Sequence, residues 1–336
     1  MFNPQYRITD YFVQCCEKAA AQIAFIQRAD LKIPLQISLE REVVNRSVHS
    51  STWIEGNRLS FDQVAALAAN KNVIADGDQK KEVGNCIQAV KWMLDNRSKN
   101  LTEAKLLNLH QKMTKGLVKA KDCGKYRSVQ NYIIDAKGIV IFTPPSPKKV
   151  KERMRDLLGW VKNIGDVHPV IRSAIFHHEF VTIHPFTDGN GRMARAAGQW
   201  LLFEKGYDPL HTLGLDDFFA ADRKRYYDMI QQARDLDGDY TYWVDYIAEG
   251  LFFSAKEVAD RAKSATRSRK KTQVTLTPKQ EELLHLIDEY GTLGSAQICE
   301  YMKINRARVN QLIKPMVESG IVIKEGTTRA VKYHLA

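Results

Sequence analysis

The stretch His184-Pro185-Phe186-Thr187-Asp188-Gly189-Asn190-Gly191-Arg192-Met193-Ala194-Arg195 constrains this 336-residue chain more than any other. Gly189 and Gly191 bracket Asn190, so the backbone can take positive φ and turn its N–H groups inward as an anion-binding nest. Residues 193–203 are apolar, Ala-rich and free of proline, which predicts a helix. A glycine loop running into a helix N-terminus presents free N–H groups and the positive end of the helix dipole to a phosphate. Arg192 and Arg195 are three apart and share a helix face, within reach of phosphate oxygens. Asp188 is a hard oxygen ligand of the kind Mg²⁺ takes beside a nucleotide. His184 can accept a proton from a hydroxyl near neutral pH. In this order the residues suggest nucleotide phosphate chemistry.

The string also resembles the Fic family motif, His-Pro-Phe-x-Asp/Glu-Gly-Asn-Gly-Arg-x-x-Arg, at every specified position. The resemblance implies an enzyme, a mainly α Fic-type domain that transfers AMP from ATP to a Ser, Thr or Tyr hydroxyl of a target protein. It implies His184 as general base and Asp188 as the Mg²⁺ ligand. It places residues 189–195 against the nucleotide: Gly189, Asn190 and Gly191 as anion hole, Met193 and Ala194 within the same segment, and Arg192 and Arg195 as phosphate clamps. Positioning and charge neutralisation would then supply most of the catalysis.

Upstream, Ser51-Thr52-Trp53-Ile54-Glu55-Gly56 has a plain local reading, a polar helix ending at Gly56 as its C-cap. Beside the core motif it resembles the Fic inhibitory motif, Ser/Thr-x-x-x-Glu-Gly/Asn, with Ser51, Glu55 and Gly56 at the specified positions. That likeness implies a latch in which Glu55 occupies the fork of Arg195 and crowds the γ-phosphate; a bidentate Arg–carboxylate pair is strong enough for this. The same glutamate aligns a water for AMP removal in some relatives, and the sequence leaves that alternative open.

Between the two motifs, Tyr132-Ile133-Ile134 and Ile139-Val140-Ile141 flank a turn ending at Gly138 and predict a hairpin. The hairpin resembles the Fic flap, which implies that these six residues dock an extended target segment by β-strand addition. His177, His178 and Glu179 lie on the helix before the motif; adjacent histidines diverge on a helix, so packing is the expectation over a metal site. Residues 217–233 read as one helix, with Tyr226 and Tyr227 as core or as adenine pocket. Relatives carry an Asn near the nucleotide where this chain has Asp222.

Composition bounds the class. No 18-residue apolar run is present, so no membrane association is expected, and residues 1–10 lack a secretory h-region. Five cysteines (Cys15, Cys16, Cys86, Cys123, Cys299) without a Cys-x-x-Cys pair argue for a reducing cytoplasm and against disulfides or zinc. A net charge of +11 is compatible with nucleotide or nucleic-acid partners.

The expected organisation is an N-terminal helical region with the inhibitory motif (1–100), a catalytic core (101–260), a basic linker (261–274) and a small α+β unit (275–336). Residues 1–35 carry short helical patterns, and a helix over 242–259 closes the core. In the last unit, a helix over 278–289, a turn at 291–294, a short helix capped by Ser295, a third capped by Asn305 and a β pair resemble a winged helix. Arg306, Arg308, Asn310 and Gln311 on the third helix suit DNA, while winged helices also bind proteins or dimerise. Residues 272–336 carry eight Lys/Arg against seven Asp/Glu, a weak footprint for DNA. A DNA-binding regulator using the Fic-like part as a nucleotide sensor is therefore the rival reading. Family members inhibited this way often dimerise, so a homodimer belongs to the implied partners.

Overall fold

The computed structural model describes every residue except 1, 29–32, 97–99, 136, 164, 209–212, 269–275, 327–330 and 336. Its centre is a pair of packed helices, α7 (Pro169–Ile183) and α8 (Asn190–Phe203). Pro169 sits in the first turn of α7, where its missing N–H costs nothing, and His168 caps that end by accepting from the Val170 N–H. The helix stops at His184, whose φ of 52° is left-handed and turns the chain into the motif loop.

The other helices wrap this pair. α1 (Asp10–Arg28) buries Phe12, Cys15, Ala19 and Ile26 against α11 (Thr241–Ser268). A single 19-residue helix thus replaces the short patterns expected at the N-terminus; its apolar stripe is interrupted by enough Gln, Lys and Ala to look weak. α2 (Ile33–Ile54) carries Ser51 on its last turn, with Glu55 in the turn directly after it, and is followed by α3 (Phe61–Ala68), α4 (Gly77–Asp95) and α5 (Glu103–Thr114). Ser60 and Gln63 form a capping box at α3, and Asp76 and Thr102 cap α4 and α5. The predicted hairpin is present as β1 (Ile133–Ile134) and β2 (Val140–Phe142), antiparallel with an irregularity after Ile133. α6 (Pro147–Asn163) follows and packs on α7.

The helix expected over 217–233 is two helices, α9 (Leu215–Ala221) and α10 (Arg223–Asp235). Asp222 breaks them at φ −135° and caps α10 by accepting from the Arg225 N–H. The last helix of this part, α11, continues nine residues past the expected end at 259, so the first half of the basic stretch is helical. Its second half lies outside the described residues.

The C-terminal part consists of α12 (Pro278–Tyr290), β3 (Leu293–Gly294), α13 (Ser295–Met302), α14 (Arg306–Glu318), β4 (Val322–Glu325) and β5 (Lys332–Leu335). Residues 293–294, expected to be a turn, form a third strand, giving an antiparallel sheet in the order β3-β5-β4. Gly294, not Ser295, takes the cap position of α13. Asn305 caps α14 as expected. Pro315 lies inside that helix and its carbonyl still accepts the Ser319 N–H. The core of this part includes Leu283, Leu284, Ile287, Val309 and Met316, and Ile37 of α2 completes it. Arg41 on the next turn of α2 pairs with Asp288 at 3.3 Å.

All five cysteines are unbridged. Among the described residues no helix is long and apolar enough to cross a membrane.

Candidate functional site

The motif loop is fixed from several directions. Asn190 ties it to itself: its Oδ1 accepts the Phe186 N–H and its Nδ2 donates to the Phe186 carbonyl, both at 2.8 Å. Asn131, just before the flap, donates to the same carbonyl at 2.9 Å. His110 of α5 stacks on Phe186 with ring centroids 3.7 Å apart. Its Nδ1 accepts the Gly124 N–H, so Nε2 is left to donate to the Asp188 carbonyl at 3.1 Å. Burial pushes this imidazole down to about 4, and it is neutral at physiological pH.

Arg127 is buried and donates four hydrogen bonds to carbonyls, those of His184 (2.7 Å), Val129, Pro145 and Ile183. One planar fork thereby joins the end of α7 to the segments that flank the flap on either side. Arg234 of α10 makes a second brace, lying 3.7 Å over the Phe142 ring while its Nη2 reaches the Val181 carbonyl. Neither Arg127, Arg234 nor His110 was singled out from the sequence, because they act on backbone carbonyls and rings that are distant along the chain.

His184 faces this enclosure from its left-handed position. Burial pushes its imidazole down to about 4, with Arg234 and Arg127 adding repulsion. Nδ1 lies 3.2 Å from the Val181 carbonyl, so the proton belongs there and Nε2 carries the free lone pair. A neutral imidazole held in one tautomer is the form that accepts a proton.

Gly189 occupies the cap position of α8 at φ 78°, with no side-chain cap. The first N–H groups of α8 therefore point into the loop. Asp188 is exposed beside it, with Oδ2 3.2 Å from Arg192 Nη2. Arg192 is buried and held at 2.6 Å by Glu82, whose other oxygen accepts from Asn57. Met193 and Ala194 turn their side chains into the core, and the Met193 N–H is committed to the Gly189 carbonyl. These two expected nucleotide-binding positions thus have their side chains in the core, because a helix exposes one face to the loop and must bury the other.

Arg195 is where the two motifs meet. Its Nε donates to Ser51 Oγ at 3.0 Å, and Nη2 donates to the Ser51 carbonyl at 2.9 Å and to Glu55 Oε1 at 2.8 Å. Asp216 Oδ1 of α9 stands 3.1 Å from the same Nε, and its Oδ2 accepts from Ser47. Among the described residues Nη1 has no hydrogen-bond partner although it is buried. Burial by itself weakens the guanidinium's hold on its proton; Glu55, Tyr226 and Asp216 outweigh this and raise it. Burial likewise raises the Asp216 carboxyl, and Arg195 pulls it back. The Glu55 carboxylate also lies over the glycine loop: a Cβ built on Gly191 would run into Glu55 Oε1. Tyr226 is fully buried and hydrogen-bonds His177 at 2.9 Å, while Tyr227 is half-exposed beneath Arg223 and near Glu55. His178 bonds the Ile230 carbonyl, so both histidines pack the core as expected.

Tyr132, Ile134, Ile139, Val140 and Ile141 are each about half exposed or more, and Ile133 pairs with Phe142. Among the described residues no group of three or more His, Cys, Asp or Glu could hold a metal ion. Asp188 supplies one outward carboxylate oxygen, which fits a cation shared with phosphate oxygens and water.

Residues 100–202 match the Fic/DOC family. A Fic family protein from Desulfovibrio desulfuricans G20 is similar in structure, with a TM-score of 0.69, 27% identity and coverage of 100% of this chain and 98% of that one. The protein adenylyltransferase Fic of Culex quinquefasciatus is 31% identical over 62% of this chain and 40% of its own. The protein of the same name from Nematostella vectensis is 27% identical over 62% of this chain and 47% of its own. The chain thus spans less than half the length of these two relatives. The mainly helical Fic architecture expected from the motif is observed.

Proposed function

We propose that this protein is a Fic adenylyltransferase that moves AMP from ATP to a hydroxyl of a target protein and is held in check by Glu55. The target hydroxyl attacks the α-phosphorus, its proton passes to Nε2 of His184, and pyrophosphate leaves. Charge on the phosphates is met by the α8 N-terminus and by Arg195. Mg²⁺ bound at Asp188 would neutralise phosphate charge and orient the leaving group. The flap, with its exposed apolar edge, would hold the target's backbone while the hydroxyl faces His184.

One observation carries the reading. A carboxylate sits over a glycine nest at a helix N-terminus, bound to a buried arginine that keeps one further donor, Nη1, unused. Such a nest takes an anion, and Glu55 stands where a terminal phosphate would otherwise be bound. Transfer from α-labelled ATP, read as self-labelling, tests it in wild type, Glu55→Gly and Glu55→Gly/His184→Ala. Faint, strong and absent signals are expected in that order. Three dark lanes despite ATP binding would sink the transferase, and loss of AMP release from pre-labelled protein on Glu55→Gly would favour AMP removal.

The C-terminal part favours a second role. Its order of helices and strands, with sheet order β3-β5-β4, suits a winged helix that presents α14, where Arg306, Arg308 and Lys314 are exposed, to DNA. Binding to duplex DNA should fall steeply with salt and survive His184→Ala; no binding at low salt would leave a protein partner, a second copy included, as the occupant.

A further inference from the structure

We propose a second anion site, distinct from the motif loop, that takes a small phosphate-bearing molecule. It is the cavity of about 750 Å³ where the starts of α5 and α7 meet the end of α8 and the flank of α6. Arg172, on the first turn of α7, lines it and is 7% exposed. Its Nη2 pairs with Glu204 Oε2 at 3.0 Å, and the other Glu204 oxygen accepts the Leu101 N–H. Among the described residues Arg172 Nε and Nη1 have no hydrogen-bond partner. A buried guanidinium with unused donors is costly until an acceptor reaches it.

The remaining walls supply the complement. Arg155, Lys162 and Lys205 are exposed on the rim, and against the four basic groups the cavity holds only Glu103 and Glu204. Glu204 is already committed to Arg172 and to Leu101. The first turn of the 12-residue α5 opens onto the same space and adds the positive end of its dipole. The size suits a small molecule rather than a simple ion. Arg172 and His184 are twelve residues apart on one helix, roughly 18 Å, so no single phosphate serves both places.

The test is calorimetric titration of the full chain with pyrophosphate and with inorganic phosphate at low ionic strength. Lys162→Ala/Lys205→Ala removes rim charge without touching the core, Arg172→Lys removes the fork, and Arg195→Lys reports binding at the motif loop. Affinity should fall roughly tenfold or more in the first two, as for the loss of charge-assisted contacts, and hold in the third. No binding by the wild type, or binding lost in Arg195→Lys but kept in the lysine variant, overturns the site. If Arg172→Lys fails to fold, the lysine pair decides alone.

Discussion

Arg195 Nη2 donates to Glu55 Oε1 at 2.8 Å, while Nη1 of the same guanidinium is buried without a partner among the described residues. The arginine does not need Glu55 to remain folded in place, because Ser51 accepts twice from it and Asp216 stands 3.1 Å away. The Glu55 side chain keeps 29% of its surface in water, and Asp216 remains beside the buried guanidinium when Glu55 loses its charge. Glu55→Gln keeps the shape and drops the charge. The expected outcome is a nearly unchanged melting temperature and AMP transfer raised roughly five- to a hundredfold, the size of an ordinary coupling between two sites. Parallel thermal melts and labelling rates check it; a large loss of stability with no gain in rate would make Glu55 a structural residue.

Gly191→Ala tests the loop from the other side. The added methyl meets Glu55 Oε1, the end of a flexible side chain, and the next neighbour is Arg195 Nη1 at 3.1 Å. The fold should tolerate it, with the melting temperature lowered by a few degrees at most. Labelling should nevertheless stay low, even in a Glu55→Gly background, because the methyl occupies the space a phosphate oxygen needs. Restored activity in the double variant would remove Gly191 from the nest.

The site was legible where the chain brings it together locally. Residues 184–195 form loop and helix start in one run, and Ser51 and Glu55 fall within one short segment that needs only its arginine to be understood. What the sequence did not disclose are contacts made across it. Glu82 and Asp216, the carboxylates that hold Arg192 and Arg195 from behind, are ordinary acidic residues in α4 and α9. Arg127 sits in a Gly-Lys-Tyr-Arg stretch with no periodicity to mark it. Strand β3 is two residues long and exists only because β5 returns beside it. Asp222, which stands where relatives carry an Asn near the nucleotide, caps α10, the commoner use of an aspartate between two helices.

Acid should destabilise the protein in a defined window. Burial pushes His110, His178 and His184 down to about 4, and His177 falls well below its ordinary value for the same reason. Unfolded, each titrates near 6.5. Between these values the unfolded chain binds more protons than the folded one, so the stability these groups confer is present above pH 6.5 and is lost as pH falls towards 4. Each contributes a slope of about 1.4 kcal/mol per pH unit inside the window. Urea midpoints measured from pH 7.5 to 4.5 should drop progressively, whereas transfer by Glu55→Gly, read while the chain stays folded, should show no limb at pH 6.5. A limb there would mean that His184 titrates as a free imidazole.

Ile37 joins α2 to the C-terminal helices. It is 2% exposed and shares a cluster with Leu283, Leu284 and Ile287, one turn from the Arg41–Asp288 pair. Ile37→Ala should cost about 2–4 kcal/mol and lower the unfolding transition of residues 275–336 before that of the helical part that precedes them. Hydrogen exchange resolved by segment would see it; uniform loss across the chain would mean the two parts unfold as one.

Arg127 places four donors on four carbonyls and has no carboxylate among the partners given by its hydrogen bonds. Its work is geometric: the His184 and Ile183 carbonyls are held against those of Val129 and Pro145, so the base and the flap share one anchor. Lysine retains the charge but offers a point donor on a flexible stem and cannot span four acceptors. Arg127→Lys should therefore cost on the order of 2–4 kcal/mol through carbonyls left unsatisfied. In a Glu55→Gly background it should also lower the transfer rate at saturating ATP more than it changes the ATP affinity, because the phosphate contacts at α8 are untouched while the base loses its register with the target. Loss of ATP affinity at an unchanged rate would show instead that Arg127 supports the nucleotide pocket.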